Sequence, residues 1–310
     1  MEVLKKVLKI FIIILVSLLL INYIRLNITY IVQKNSFKKG FPIYGNTNNY
    51  VPQGLVYSSK YDVVLQTSYN AKHKVSMLYV IDFKTGKLLK SLKLKNNDSS
   101  DNVNHVGGIA TDDNTVWITN DYLVNEYSLD EIYSTDKDYI KCLKTKKLPI
   151  RGDFCYYNDN SLWIGDFCLS PFYKVPDNTP LVFKYDIDNI DYSKPSIIIS
   201  IPKMVQGMII VDDTFIFTRS FTNLINSDLS YYENVLNGKS DTYKLKGKKI
   251  PYYHFKKDNL IKNVKVPPMA EGLFNYKGNL YISFENSSDH YFYAYPKNKN
   301  VIIYSNKNTH

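Results

Sequence analysis

Four side chains able to ionise or hydrogen-bond stand immediately before a recurring glycine or its equivalent, far apart in the 310-residue chain. They are Gln53 before Gly54, Asp153 before Phe154, Gln206 before Gly207 and Glu271 before Gly272. His105 and Arg151 lie close by in the same kind of segment, and a second set (Ser68, Asn120 with Asp121, Asp166, Arg219 and Glu285) ends the strands that follow. Brought to one mouth, Gln53, His105, Arg151, Asp153, Gln206, Arg219 and Glu271 would form a polar funnel. Such a funnel would bind a small anionic or polyhydroxylated ligand, with Arg151 and Arg219 as charge-assisted donors. The competing reading is that these side chains cap neighbouring backbone and pair with each other, as buried polar groups must.

Two further chemistries follow from the same residues. Asn120, Asp166 and Glu271 are hard oxygen donors that suit Ca²⁺ if they converge, the one cofactor the residue types admit. The five histidines show no paired spacing, which gives zinc no support. Acid–base or nucleophilic catalysis by carboxylates needs two of them together, and Glu271 with Asp153 or Asp166 is the available pairing. Cys142, Cys155 and Cys168 fall in one region. Cys155 and Cys168 flank a strand and would pair across it in an oxidising compartment, and small apolar fillers are the simpler reading. The Arg151–Gly152–Asp153 tripeptide coincides with a strand start, where a structural role outweighs adhesion.

The elements that must position these residues form a repeat. Gly107-Gly108-Ile109 leads to Val116-Trp117-Ile118, Gln206-Gly207-Met208 to Phe215-Ile216-Phe217, and Glu271-Gly272-Leu273 to Leu280-Tyr281-Ile282. Pro52-Gln53-Gly54-Leu55 leads likewise to Val63-Val64-Leu65, and Arg151-Gly152-Asp153-Phe154 is a degenerate fifth copy leading to Leu162-Trp163-Ile164. Gly108 to Trp117, Phe154 to Trp163, Gly207 to Ile216 and Gly272 to Tyr281 are each nine positions apart. The intervening Asp, Asn and Gly residues tolerate hairpin dihedrals. Repeat starts every 46 to 65 residues suit four-stranded propeller blades. The spacing predicts an all-β chain, a propeller of five blades over 49–310, with an insertion near 233–250. A sixth degenerate blade and a β-sandwich are the structural alternatives.

Ahead of the repeats, Ile10 to Ile21 is apolar apart from Ser17 and follows Lys5, Lys6 and Lys9. No small-x-small cleavage site follows, so the reading is a basic leader over 1–6, a transmembrane signal anchor over 7–26 and a linker over 27–48. Arg25, Lys34, Lys38 and Lys39 beyond the span leave its orientation without a clean charge vote. Export explains the leader, and the expectation is a single-pass cell-membrane protein with an extracytoplasmic propeller. The net charge of +10 does not point to nucleic acid: residues 1–40 hold +6 of it, and the chain has three arginines.

Val51-Pro52-Gln53-Gly54-Leu55, His105-Val106-Gly107-Gly108, Val205-Gln206-Gly207 and Pro267-Pro268-Met269-Ala270-Glu271-Gly272 together resemble a family of exported bacterial β-propellers. The resemblance covers roughly residues 50–290 and implies export without assigning an activity. More distantly, the architecture is similar to gluconolactonase and strictosidine-synthase-like propellers, in which channel Ca²⁺ activates a lactone or ester. That likeness gives Glu271 the glutamate role and makes Asn120 and Asp166 the other candidates. Gln53 and Gln206 stand where that pattern wants a further acid. The expected function is a membrane-anchored module binding a small molecule or cell-surface partner, with a Ca²⁺-dependent lactone or ester hydrolase as the alternative.

Overall fold

The computed structural model describes residues 2–33 and 36–305. Five antiparallel sheets form, and their innermost strands neighbour one another in a closed ring, which makes the domain a five-bladed propeller. Blade 1 runs outward from Tyr50–Ser58 through Val63–Asn70, Met77–Asp82 and Leu88–Lys95. Blade 2 uses Gly108–Thr111, Thr115–Asn120, Leu123–Ser128 and Lys144–Lys147; blade 3 uses Phe154–Asn158, Ser161–Gly165, Leu181–Asp186 and Ile197–Ser200. Blade 4 is Val205–Val211, Thr214–Arg219, Ser227–Glu233 and Leu260–Val266. Blade 5 takes Ala270–Tyr276, Asn279–Phe284 and Asn300–Ser305 from the end of the chain and Phe37–Pro42 from its beginning.

The nine-residue spacing is a hairpin register. The residue two past each glycine station pairs with the residue nine past it: Ala110 with Trp117, Tyr156 with Trp163, Ile209 with Ile216, Phe274 with Tyr281. Three of the turns place both central residues at positive φ, Asp159-Asn160, Asp212-Asp213 and Lys277-Gly278, the combination that matches strand twist. Blade 1 has a longer turn, so Val56 pairs with Leu65 instead.

The glycines are there because the inner strands nearly touch. A Cβ on Gly108 would lie 2.4 Å from the Cys155 nitrogen, and one on Gly272 2.4 Å from the Leu55 nitrogen. Opposite the glycine station the second strand carries a hydroxyl. Thr67 Oγ1 donates to the Val106 carbonyl at 2.9 Å, Thr218 Oγ1 to that of Glu271 at 2.8 Å, and Ser283 Oγ lies 3.1 Å from that of Gln53. Each stitches its blade to the next. Blade 3 solves the same problem differently: Phe154 replaces the glycine and Gly165 the hydroxyl, and a Cβ on Gly165 would meet the Phe154 ring at 2.1 Å.

Two connections between third and fourth strands reach back to the preceding blade. Tyr139–Lys141 adds in parallel to the outer strand of blade 1. The expected insertion of blade 4 is a hairpin, Asp241–Leu245 with Lys248–His254, that pairs in parallel with the outer strand of blade 3. The segment expected as a linker divides: one helix runs from Glu2 to Gln33, and Phe37–Pro42 closes the ring by pairing with Asn300–Ser305. Lys34 lies outside the described residues. The helix is long and apolar enough over Glu2–Leu26 to cross a membrane. Cys142, Cys155 and Cys168 are buried free thiols.

Candidate functional site

Inner strands all start at one mouth of the channel, and three of them bulge there. The pairing shifts between Pro52 and Leu55, between Val205 and Gly207, and between Ala270 and Leu273. A bulge re-aims the side chain at the irregularity, and the residues so re-aimed are Gln53, Gln206 and Glu271. In blades 4 and 5 the chain arrives through Met204 and Met269, both at positive φ, whose carbonyls accept from the Ser220 and Glu285 nitrogens at 2.9 and 3.0 Å.

These turns bring three blades' polar groups into one network. Gln206 Nε2 donates to Glu271 Oε1 at 2.8 Å, and Gln53 Nε2 donates to Glu285 Oε1 at 2.6 Å. Glu271 and Glu285 lie close enough to influence each other's ionisation, and Tyr291 lies beside both Glu285 and Tyr69. Burial pushes the Glu285 carboxyl up to about 7, against the lowering effect of Gln53, Tyr291 and Glu271. Burial, then the neighbouring Glu285 charge, raises Glu271 well above the carboxylate range. Two carboxyls cannot both ionise when packed together away from water, so the pair retains a proton, on Glu271.

A second pair of acids lies in blade 3. Asp153 Oδ2 accepts from the Phe167 nitrogen at 2.7 Å, and Asp166 Oδ1 from that of Leu181 at 2.6 Å. Burial raises Asp153 to about 6 even though Arg151 opposes the shift, and raises Asp166 to about 8 with Asp153 adding to it. Arg151 Nη2 donates to Asp153 Oδ1 at 2.8 Å.

Above this floor a pocket of about 560 Å³ opens, lined by His105, Arg151, Asp153, Gln206 and Glu285 and by aromatic walls that include Tyr69, Phe167, Phe221 and Tyr291. Of the seven expected mouth residues, His105, Arg151, Asp153 and Gln206 therefore line one cavity. Gln53 and Glu271 are buried behind it and act through Glu285 and Gln206. Arg219 is turned away, its Nε donating to the Lys203 carbonyl at 3.0 Å and its Nη1 to Ser230. Arg219 is thus committed within its own blade, which removes it from the expected donor pair. Arg151 pairs with Asp153 through Nη2 and faces the pocket with a buried Nε that has no hydrogen-bond partner among the described residues. The Ca²⁺ candidates are engaged within the protein: Asn120 Oδ1 accepts from Asn125, Asp166 from Leu181, Glu271 from Gln206. Among the described residues no three His, Cys, Asp or Glu side chains are grouped to hold a metal ion.

Glu285 and Tyr69 were not among the expected site residues. Both stand two positions beyond the ring hydroxyl of the second strand, as do Phe167 and Ser220, and all four line the pocket. That shared offset is a signal readable from the repeats. Tyr291 belongs to no repeat and had none.

A five-bladed propeller with a carboxyl-floored pocket at one channel mouth is a binding or enzymatic scaffold. No protein-family model matches the chain, and neither does any curated protein sequence. Among solved structures it is similar to glutaminyl cyclase of Myxococcus xanthus, at 8% identity over 86% of this chain and 94% of that one, with a TM-score of 0.49. It is also similar to hydrazine synthase of Kuenenia stuttgartiensis (9% identity, 78% of this chain, 58% of that one, TM-score 0.42). A third is the WD40 domain of Toxoplasma gondii coronin (8% identity, 84% of this chain, 54% of that one, TM-score 0.37). The chain spans little more than half the length of the latter two. All three TM-scores lie below 0.5, so the propeller assignment rests on the chain's own five sheets.

Proposed function

We propose that the protein is a ligand-binding propeller, held to a membrane by its N-terminal helix, whose mouth pocket takes a small molecule presenting an amine or several hydrogen-bond donors. The observation that carries this reading is the charge balance of the floor. Four carboxyls, Asp153, Asp166, Glu271 and Glu285, stand against one guanidinium, that of Arg151, whose Nη2 is paired with Asp153. Ionisation of Glu285 near neutral pH then leaves a negative charge with no cation beside it among the described residues. An ammonium group entering beside Glu285 would stabilise its ionised form, and the faces of Tyr69, Phe221 and Tyr291 would add cation–π attraction. A polyhydroxylated ligand is equally compatible with the acceptor-rich walls, and an anionic one would meet only the Arg151 guanidinium.

Calorimetric titration of the full chain with amino sugars, amino-acid amides and polyamines, beside matched neutral polyols and organic anions, tests this. Amines should bind more tightly at pH 8 than at pH 6, as Glu285 ionises, and Glu285→Gln should remove that gain. Preferential binding of the anions would overturn the reading. The domain is proposed to lie outside the cytoplasm, as the basic leader implies, and protease clipping on intact cells tests that side.

A second reading, catalysis by proton transfer, is favoured by the neighbouring buried carboxyls of Glu271 and Glu285, both raised above the ordinary range, because such a pair can donate and accept a proton near neutral pH. A calcium-dependent lactone or ester hydrolase draws no comparable support, since among the described residues no three His, Cys, Asp or Glu side chains are grouped to hold a metal ion.

A further inference from the structure

The helix and the pocket mouth share one face of the propeller. Leu26 is buried against the domain. Tyr23 stacks on Tyr295 with ring centroids 4.8 Å apart, and Arg25 Nη2 donates to the Leu224 carbonyl at 3.2 Å. Tyr295 and Leu224 belong to mouth-side connections of blades 5 and 4. The first strand after the helix then starts at the opposite end of blade 5, where Phe37 pairs with Tyr304. The last part of the single helix therefore descends alongside the blades, and its apolar stretch ahead of Tyr23 projects away from the mouth face.

That face also exposes a group of large apolar side chains. Phe172 is 74% exposed, Leu224 50%, Ile225 56%, Phe292 82% and Tyr293 60%. They sit on the second-to-third-strand connections of blades 3, 4 and 5, the helix side of the rim, and Phe172 stacks on Phe221 to join two of these loops. Of the hairpin turns at the opposite mouth, Asp112–Asn114, Asp159–Asn160, Asp212–Asp213 and Lys277–Gly278 are polar or glycine, and Ser59–Asp62 of blade 1 adds Tyr61. Aromatic and aliphatic residues gathered on one face mark an interaction surface, and next to the end of a membrane-crossing helix they match the aromatic belt of a bilayer interface.

We propose that this rim seats in the interface of the bilayer that the helix enters, so that the pocket opens onto the membrane surface and takes its ligand from the headgroup layer. This rests on the membrane-anchor part of the proposed function, and it narrows the ligand to a molecule whose polar, donor-bearing end is displayed by a lipid surface. The occupant of the rim is lipid, because the helix contacts the rim loops where it leaves the domain.

Tryptophan reporters in the full chain, reconstituted in nanodiscs with and without acyl-brominated phosphatidylcholine and phosphatidylglycerol, test it. The parent chain supplies the background, since Trp117 and Trp163 are buried in the sheets. Leu15→Trp reports the helix, Phe172→Trp and Phe292→Trp report the rim, and Glu233→Trp reports the far side of blade 4. The proposal expects the helix and both rim reporters to lose emission to brominated lipid, with Glu233→Trp quenched only by aqueous iodide. Quenching of the helix reporter alone would overturn the rim proposal while leaving the anchor intact. Protection of the rim reporters from both quenchers would assign the face to a protein partner and would equally overturn it. No quenching at any position would remove the anchor reading as well. Both rim phenylalanines are largely exposed, so the substitutions leave the sheets unaltered.

Discussion

At the scale of single residues, the consequential group is Glu285, a carboxyl raised toward neutrality by burial against the lowering effect of Gln53, Tyr291 and Glu271. Its folded-state pKa of about 7 lies above the ordinary 4.5, so the native state binds more protons than the unfolded one between those values. Stability then falls as pH rises through that window and is unaffected below it. Glu285→Gln keeps the shape and the bond from Gln53 but cannot ionise. The variant should match the parent near pH 4.5 and be more stable at pH 8, by on the order of 1–3 kcal/mol, read as a flatter Tm against pH. A steeper fall in the variant would show that the carboxylate is a net stabiliser. The residues that sequence reasoning found here, Gln53, Gln206 and Glu271, were legible because each precedes a glycine at a bulge. Arg219 looked equivalent but is spent on the Lys203 carbonyl, because a strand-end side chain points where its own pairing register sends it, and that register is not set by residue type. Tyr291 reaches the floor from a long connection with no counterpart in the other blades, so no spacing could announce it.

At the scale of elements, blade 3 offers a direct comparison with its neighbours, since Phe154 and Gly165 invert a pattern of glycine facing hydroxyl. If the inversion is a matched exchange of volume, the two positions must be coupled. Gly165→Ala alone should destabilise by about 1–3 kcal/mol through overpacking against the Phe154 ring. In a Phe154→Ala background, where the ring is gone, the same change should cost less by an amount in the range of about 0.5–3 kcal/mol. Thermal melts of the four proteins close the cycle, and additive losses would contradict the exchange. Four of the five hairpins were readable from sequence because tight turns with Asp, Asn and Gly fix their register over nine residues, while blade 1 was readable from its glycine entry alone. What was not readable is where strands leave their own blade. The Lys248–His254 strand and the short Tyr139–Lys141 strand pair with the preceding blade, and their side chains alternate no differently from those of an outer strand that stays at home. Local pattern specifies that a strand forms; the choice of partner is decided by which sheet edge the connection can reach.

At the scale of the whole molecule, a propeller is a ring of sheets whose stability depends on closure, and here the closing strand comes from ahead of the first blade. Phe37–Pro42 completes blade 5 beside Asn300–Ser305, and Phe41 and Ile43 join the same core cluster as Val301 and Tyr304. No repeat motif marks this segment, which is why it reads as linker in the sequence: Phe37-Lys38-Lys39-Gly40 lacks both the alternation and the turn that identify the other strands. Removal of the helix and removal of the strand should therefore have opposite consequences. A chain lacking residues 1–36 keeps the closing strand and should remain a monomer with one cooperative melt. A chain lacking residues 1–43 leaves the edge of Asn300–Ser305 unpaired and uncovers Val301 and Ile302, an edge that invites pairing with other chains. It should elute as oligomers and lose the cooperative transition, and a second monomeric, cooperatively melting protein would show instead that the three remaining strands of blade 5 suffice. The same closure ties the helix to the domain at two levels, through its packing at Leu26 and, a few residues on, through a strand of the ring itself. The N-terminal helix is thus joined through the closing strand to blade 5, the blade that carries Glu271 and Glu285, and touches blade 4 through Arg25 and Leu224.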